Sequence, residues 1–253
     1  DEHRTLYEAV KAAPEKFGIT AGFDYPIIIS FTSADENLSI QVHPTDEYAI
    51  THENALYGKS ESWYFIEPPS EGWIYADSLI EDKREIKRSI LNGDYESVVG
   101  KIIVSKDDVV YIPSGTLHAL TRGSLVYEIQ QSTDITYRFF DYNRLDNDGK
   151  LRDLHLDDAI ETLNTENRVK SSAFPKDTLV SEQPYTMVRK TLENVYHNTT
   201  DVAVAITVSK GSMCVDGHSI LAGMSILVLP DEAISISQAA EEVVIATPKL
   251  YFK

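Results

Sequence analysis

Four side chains with metal-ligand chemistry occur in the first half of this sequence, at positions that could bring them together. Gln41 and His43 lie two residues apart in a β-rich run, so both point to the same face of a strand. Glu61 belongs to a second run, and His118 follows a Pro-Ser-Gly turn that could place it on a neighbouring strand. Because the inward faces of neighbouring strands converge in a small barrel, we expect these side chains to meet around one ion. Two imidazoles, one carboxylate and one amide suit zinc or a related divalent metal. A single anionic ligand leaves the site positive, as a Lewis acid that stabilises an enediolate requires.

Each of these residues also has a simpler interpretation. A histidine on a strand is more often a hydrogen-bonded structural residue than a ligand, and glutamine is an uncommon ligand. Lys59 would usually be a solvated surface residue, with Glu61 as its ion-pair partner. Only the combination, on strands of matched parity, favours a metal site.

A third polar run, at residues 127–138, carries further charged side chains. An unbroken strand would place on one face the side chains of Glu128, Gln130, Asp134 and Arg138. A β-bulge in the Gln-Gln-Ser-Thr-Asp stretch would break that register. An inward arginine is costly unless it is paired or binds an anion. Arg138 therefore either receives an anionic ligand or forms an ion pair with Asp134 that only staples the sheet.

Two β-rich blocks separated by helical segments must position these residues. The spacing of Thr5 and Glu8 predicts a capping box that opens a helix, and Gly18 is where that helix should end. Apolar residues at helical spacing predict two further helices, within 80–98 and around 156–163. The first block has β-type runs at 27–31, 38–42, 62–66, 109–112 and 125–130. After Pro184 a second block has runs at 202–208, 226–229 and 242–246. The pattern predicts a mainly β protein with two barrel-like modules.

The composition narrows the range of partners and compartments. The formal net charge of -17 over 253 residues argues against binding to nucleic acid or to an anionic membrane surface. The single Cys214 excludes an internal disulfide framework and fits a reducing compartment. No apolar run is long enough to cross a membrane, and residues 1–4 are not typical of a signal peptide. We therefore expect a soluble, cytoplasmic protein.

Several motifs, in order along the chain, resemble those of type I mannose-6-phosphate isomerases, in particular the short bacterial branch. They are Gln-Val-His-Pro-Thr-Asp-Glu-Tyr-Ala at 41–49, Gly-Lys-Ser-Glu-Ser-Trp-Tyr at 58–64, Tyr-Ile-Pro-Ser-Gly-Thr-Leu-His-Ala at 111–119, Ser-Thr-Asp-Ile-Thr-Tyr-Arg at 132–138, Asp-Tyr-Asn-Arg at 141–144 and Leu-His at 154–155. The match is specific from about residue 23 to residue 163 and looser beyond. Agreement of several ordered motifs is much stronger evidence than any single motif.

The resemblance implies a bicupin, which is a mainly β fold of two jelly-roll-like barrels with a helical insertion and hinge helices. It implies a metal-binding N-terminal cupin at 1–150 with the insertion around 78–98, a helical connection at 151–183, and a C-terminal cupin without metal at 184–253. It also implies one zinc ion per chain. The family's zinc ligands match Gln41, His43, Glu61 and His118. Its catalytic arginine matches Arg138, its lysine beside the glutamate ligand matches Lys59, and acidic pocket positions match Glu128 and Asp134.

The implied reaction interconverts mannose 6-phosphate and fructose 6-phosphate through a cis-enediol, with a sugar phosphate as the only expected partner besides a second copy of the chain. The catalytic base is left open between Glu128, Asp134 and a metal-bound water. Phosphate capture is left open between Lys59, Arg138 and Arg144. The chain is expected to be a monomer or a homodimer.

Two departures from the family pattern keep other functions open. The family's Trp-Gly-Gly and Glu-Ser-Trp segment does not precede the first predicted helix, and without it a barrel wall or an edge strand would be missing. That departure favours a non-catalytic sugar-phosphate-binding paralogue as the first alternative, and a cupin of other metal-dependent chemistry is the second. The family's Gly-Asp before the Tyr-Ile-Pro motif is Asp107-Asp108 here, and we expect Asp107 to tolerate a left-handed backbone.

Overall fold

The structure is a computed structural model, and it describes residues 4–251. Residues 1–3 and 252–253, and with them most of the segment inspected for a signal peptide, lie outside the described part. The chain forms two compact units. One consists of Ile29–Ala173, and the other of the described residues before and after that range.

Two five-stranded antiparallel sheets build the unit formed by Ile29–Ala173. The first sheet has the order β1 (Ile27–Ser33, whose first two residues belong to the other unit), β8 (Leu125–Gln131), β3 (Glu61–Glu67), β6 (Asp108–Ile112) and β10 (Ser171–Ala173). The second has the order β5 (Val99–Ile103), β4 (Trp73–Ser78), β7 (His118–Ala119), β2 (Ile40–Val42) and β9 (Tyr137–Phe140). The helices of this unit are α2 (Asp46–His52), α3 (Lys83–Leu91) and α4 (Leu156–Thr162).

Apolar side chains from both sheets meet between them and form the interior of this barrel. Its largest members include Trp63 and Phe65 from the first sheet and Ile74 and Leu120 on the side of the second. The alternate residues of the second sheet, such as Val42 and Phe139, point the other way and pack against the helices in a separate apolar cluster. The strand period of two therefore separates a barrel interior from a helix-covered outer face.

The helix predicted within 80–98 is shorter than expected. Asp82 caps α3 by accepting a hydrogen bond from the backbone N–H of Arg84, and Ile86 and Ile90 are its buried residues. The helix stops at Leu91 because the chain turns at Gly93, whose φ of 78° is left-handed. Residues 94–98 then lead back to the sheet.

The polar run at 127–138 is not one strand. β8 ends at Gln131 in the first sheet, and β9 begins at Tyr137 in the second sheet. The condition for Glu128, Gln130, Asp134 and Arg138 to share one face, an unbroken strand, is therefore not met, because the chain changes sheets between Gln130 and Asp134. The polar stretch provides a crossover rather than a bulge.

Two further sheets build the other unit. One has the order β11 (Leu179–Ser181), β12 (Tyr185–Lys190), β19 (Glu242–Pro248), β14 (Val204–Lys210) and β17 (Ser225–Val228). The other has the order β13 (Asn194–His197), β18 (Ala233–Gln238), β15 (Ser212–Val215) and β16 (His218–Leu221). Apolar residues of both sheets, including Ile206 and Met213, form its core. Arg189 and Glu242 are buried in this unit as an ion pair, with their closest atoms 2.5 Å apart.

The N-terminal helix begins as predicted and ends early. Thr5 and Glu8 form the capping box of α1 (Leu6–Ala12). Pro14 cannot donate a backbone hydrogen bond and disfavours a helical conformation of Ala13, so a 3₁₀ helix at Pro14–Phe17 follows. Gly18, with a φ of 69°, ends that 3₁₀ helix instead of α1.

The predicted mainly β, two-barrel architecture is confirmed, and each unit consists of two packed antiparallel sheets. The sequence limits proposed for the domains, at 150 and 183, stay predictions. Among residues 4–251, none of the helices has both the length and the apolar character needed to span a membrane.

Candidate metal centre

The two sheets of the first barrel place the four predicted ligands at one end of its interior. In the second sheet Gln41 lies directly opposite His118 in the pairing of β2 with β7. His43 follows β2 by one residue and lies on the same face as Gln41. Glu61 is the first residue of β3 in the first sheet. Residues that are distant in sequence are thus adjacent because strand ends from both sheets meet there.

His43, Glu61 and His118 form a compact buried group. One carboxylate oxygen of Glu61, Oε2, lies 3.3 Å from Nε2 of His43, and the other, Oε1, lies 3.4 Å from Nε2 of His118. One potential ligand atom from each residue lies within 4.8 Å of the others. Each of the three side chains is about 1% exposed. A carboxylate facing two imidazole nitrogens is a donor set that suits a divalent transition metal.

The side-chain amide of Gln41 lies next to both imidazoles of this group. Its amide nitrogen lies 3.5 Å from Nε2 of His43 and 3.2 Å from Nε2 of His118. Rotation of the amide by 180° would bring Oε1, a ligand atom, to the same position. The structure therefore brings together all four residues that the sequence suggested as ligands.

Backbone carbonyl groups hold the outer nitrogen of each imidazole. Nδ1 of His43 is 3.0 Å from the carbonyl oxygen of Ile135, and Nδ1 of His118 is 2.8 Å from that of Thr116. A carbonyl can only accept, so Nδ1 carries the proton in both rings. The lone pair of each Nε2 then faces the centre of the group, which is the tautomer that a metal ligand needs.

The electrostatics of the group also match metal binding. Burial lowers the pKa of His43 and His118, the latter to about 3, so both imidazoles are neutral near pH 7. Burial acts to raise the pKa of Glu61, but the positive charge of Lys59 holds it below its usual value. Nζ of Lys59 lies 3.2 Å from Oε2 of Glu61. Neutral imidazoles and an ionised carboxylate are the forms that bind metal.

Glu128 is a second carboxyl group beside the cluster. It lies on β8 directly opposite Trp63, and its Oε2 accepts a hydrogen bond of 3.0 Å from Oγ1 of Thr32. Burial and the charge of Glu61 raise the pKa of Glu128 to about 7, although Lys59 and the bond from Thr32 act to lower it. A carboxyl group that titrates near pH 7 can both accept and return a proton.

Arg138 lies next to Gln41 across the pairing of β2 with β9, but its guanidinium contacts the segment after β9. Nη1 donates a 2.8 Å hydrogen bond to the carbonyl oxygen of Asp153, and Nε is buried with no hydrogen-bond partner among residues 4–251. Asp134 is exposed in the crossover, and the described residues show no ion pair between it and Arg138. The alternative in which this pair only staples the sheet is therefore wrong.

Arg144 lies away from Lys59, at the opposite end of the barrel. It follows the far end of β9 and lines a cavity of about 680 Å³ together with the turns before β2 and after β3. Its guanidinium is occupied, because it binds Oδ1 of Asp141 at 2.6 Å and the carbonyl oxygen of Asn37 at 2.9 Å.

Sequence reasoning missed several residues that support this group. Thr32, Asp46 and Gln131 contact the side chains or backbone around it, but no short motif links them to it. Asp107 adopts a φ of 67°, so the expected left-handed backbone at this position is confirmed.

Fold and site together define a class. A barrel of cupin type that carries a buried His-Glu-His group at one end is a metal-binding cupin architecture.

Comparison with known proteins identifies the relatives within this class. No family model matches the chain. The chain is 40% identical over 159 residues to a mannose-6-phosphate isomerase of Bacillus subtilis, covering 63% of this chain and 50% of the relative. It is 38% identical over 149 residues to a mannose-6-phosphate isomerase of Streptococcus mutans, covering 59% and 47%. The crystal structure of the mannose 6-phosphate isomerase from Bacillus subtilis matches with a TM-score of 0.78 at 27% identity, over 96% of this chain and 82% of that one.

The predicted resemblance to mannose-6-phosphate isomerases is therefore confirmed in sequence and in fold. The chain spans about half the length of the curated relatives that it matches.

The raised pKa of Glu128 predicts a pH-dependent stability of the chelator-treated protein. A carboxyl group whose folded pKa is raised contributes stability that is complete below its unfolded pKa, near 4.5, and is lost as the pH rises through about 7. The difference in free energy of unfolding between Glu128→Gln and the parent should therefore shift in favour of the variant as the pH rises from 5 to 8. After a reduction for partial exposure, we expect a shift of about 2 kcal/mol.

Urea denaturation at both pH values measures this difference. The exposed Asp134→Asn provides the matched control and should follow the parent profile. Parallel pH profiles of Glu128→Gln and the parent would show that Glu128 is not the titrating group.

Proposed function

We propose that this chain is a mannose-6-phosphate isomerase that interconverts mannose 6-phosphate and fructose 6-phosphate with one zinc ion per chain. The observation that carries the proposal is the buried group of His43, Glu61 and His118, whose imidazoles are fixed with Nε2 toward the carboxylate. The likeness to named mannose-6-phosphate isomerases supplies the substrate.

Gln41, His43, Glu61 and His118 would hold the ion. A bound zinc ion supplies a Lewis acid that polarises oxygen atoms of the sugar. Lys59 keeps Glu61 ionised and adds positive charge where an oxyanion develops. Three neutral ligands and one carboxylate would compensate only one of the two positive charges of a zinc ion.

Glu128 is the base in this proposal. Moving a proton between C2 and C1 through a cis-enediol requires one group that takes the proton and gives it back. Glu128 lies beside the ligand cluster with a pKa near 7, whereas Asp134 is exposed in the crossover, and the described residues show no contact between it and the ligand group. The buried apolar side chains of Trp63 and Phe65 exclude water from the barrel interior next to the ligand group.

Zinc removal tests the reaction and the metal together. We expect dialysis against a chelator to abolish formation of fructose 6-phosphate from mannose 6-phosphate in a coupled assay, and stoichiometric zinc to restore it. A folded, zinc-loaded protein that binds the sugar phosphate without turnover would instead be a sugar-phosphate-binding paralogue. Activity that needs iron and oxygen would indicate another cupin chemistry.

The role of Glu128 predicts a loss of turnover without a loss of metal. Glu128→Gln should lower kcat by about 10²–10⁴-fold, the usual contribution of a general base, while the zinc content stays at one per chain. Asp134→Asn is the control and should keep kcat near the parent value. Steady-state kinetics and metal analysis of both proteins decide between the two carboxyl groups, and full turnover in Glu128→Gln would leave a metal-bound water as the base.

Arg138 is the proposed partner of the substrate's negative charge. Its buried Nε has no hydrogen-bond partner in the described part of the chain, and burial together with the charge of Arg152 lowers the pKa of its guanidinium, so an anion would be favoured there. Arg138→Met should raise KM or lower kcat at least about tenfold, since charge-assisted hydrogen bonds are the strong ones. Arg144→Met should have a smaller effect on both constants because the guanidinium of Arg144 is already bound by Asp141 and by the carbonyl oxygen of Asn37. Equal effects of the two substitutions on steady-state kinetics would contradict this assignment.

A further inference from the structure

The segment Gly58-Lys59-Ser60 carries Lys59 and leads into the ligand Glu61, yet it lies before β3 and has no strand partner. Each of its three backbone N–H groups is nevertheless bonded. Gly58 donates to Oδ1 of Asp46 at 2.8 Å, Lys59 to the carbonyl oxygen of Pro44 at 3.0 Å, and Ser60 to Oε1 of Gln131 at 2.7 Å. The side chains of Asp46 and Gln131 therefore accept two of the three backbone hydrogen bonds that a neighbouring strand would accept in a sheet.

Asp46 and Gln131 are also joined to each other. Nε2 of Gln131 donates to Oδ1 of Asp46 at 2.8 Å, so one carboxylate oxygen accepts from two N–H groups. Gln131 is 3% exposed, and its backbone N–H donates to the carbonyl oxygen of Ser60 at 3.2 Å. We call this set of bonds between Asp46, Gln131 and residues 58–60 the polar clamp.

The polar clamp and the bonds next to it connect the chain segments that carry three of the four proposed ligands, His43, Glu61 and His118. Asp46 opens α2 only three residues after His43. Gln131 is the last residue of β8, the strand paired with the one that begins at Glu61. Oγ of Ser60 accepts from the backbone N–H of Ser114, in the turn that precedes His118, at 3.1 Å. In the same turn the N–H of Gly115 donates to the carbonyl oxygen of His43 at 2.7 Å.

Close packing leaves little freedom in this arrangement. A Cβ atom at Gly58 would lie 2.4 Å from the carbonyl oxygen of Pro44 and from the carbonyl carbon of Thr45. The segment at 58–60 can approach residues 44–46 this closely only with glycine at this position. Displacement of either segment would therefore move Glu61 relative to His43.

We infer that Asp46 and Gln131 are positioning residues that fix the relative placement of the metal ligands and so set the affinity and geometry of the metal centre. Neither residue is one of the four proposed ligands. This inference rests on the proposed function only as far as the metal, because its consequences appear in zinc binding and do not require turnover. Partners of metal ligands typically change metal affinity by 10- to 100-fold when they are lost.

Zinc affinity of the full chain, measured by competition with a chromophoric chelator, tests the inference. Asp46→Ala removes the shared acceptor, and Gln131→Met removes both amide functions at similar side-chain size. Each should weaken zinc binding by about 10- to 100-fold. Asp46→Asn keeps an oxygen that can accept both hydrogen bonds, so it should bind zinc within a few-fold of the parent.

Asp108→Ala is the matched control. Oδ2 of Asp108 accepts from the backbone N–H of Ser105 at 2.9 Å and from Oγ of Ser171 at 2.7 Å, in the same unit. Asp108 lies four residues along β6 from Ile112, the partner of Glu61, which is about 13 Å at the rise of a strand. Asp108→Ala should lower the thermal stability of the metal-free protein, prepared with a chelator, as much as Asp46→Ala does. It should leave the zinc affinity unchanged.

The outcomes separate the polar clamp from general destabilisation. Parent-like zinc affinity in Gln131→Met, or equal loss in Asp108→Ala, would overturn the inference, and Gln131→Met keeps the test decisive if Asp46→Ala does not fold. If the parent chain binds no zinc, both this inference and the zinc site of the proposed function are wrong. A parent chain that binds zinc without turnover would count against the isomerase alone, and the variants would still decide the role of the polar clamp.

Discussion

The first barrel depends on one constraint, which is the presence of an ionised carboxylate, Glu61, in a nearly dry interior. A buried carboxylate without partners would cost several kcal/mol or would take up a proton. Here the ammonium group of Lys59 at 3.2 Å keeps it charged, while two imidazoles turn unprotonated Nε2 atoms toward it at 3.3 and 3.4 Å. Removing the carboxylate would leave the buried Lys59 without its counter-charge. The group is therefore stable only as a set, and a cation bound between the ligands would strengthen the same balance.

The architecture can bury this polar group because strand ends of both sheets lie together at one end of the barrel. Strand interiors satisfy their own backbone groups, so side chains there can be apolar, as Trp63 and Phe65 are. At the strand ends the ladder stops, and polar side chains take over its bonds. The carbonyl groups of Ile135 and Thr116 hold the two imidazoles, and Gln131 holds the entry to β3. The same ends thus provide both the ligands and the groups that orient them. The second unit differs, because its buried charges, Arg189 and Glu242, already neutralise each other.

Sequence patterns succeeded where the evidence for a residue was local. The alternation at 41–43 and the turn before His118 predicted which side chains face inward, since strand parity is a property of neighbouring residues. The capping box at Thr5 and the left-handed turn at Asp107 were predictable for the same reason. Patterns failed where a strand ends. Residues 127–138 have the alternation of one strand, yet the chain leaves the first sheet after Gln131 and enters the second at Tyr137. Alternation does not record which sheet a segment joins, so Asp134 was grouped with residues from which the crossover removes it.

The sequence by itself determined the residue types of the ligand group, their inward parity, the two β-rich blocks and the resemblance to mannose-6-phosphate isomerases. Only the tertiary structure decided that Arg138 turns toward Asp153, that Arg144 is held by Asp141 at the far end of the barrel, and that Asp46 and Gln131 brace the segment before Glu61. It also decided the acidity of Glu128, because a pKa near 7 depends on burial and on the charge of Glu61 across the sheet. The physical reason is the same in each case. Residue type and parity are local properties of the chain, whereas distances between charges and the dielectric around them exist only after strands that are distant in sequence have paired.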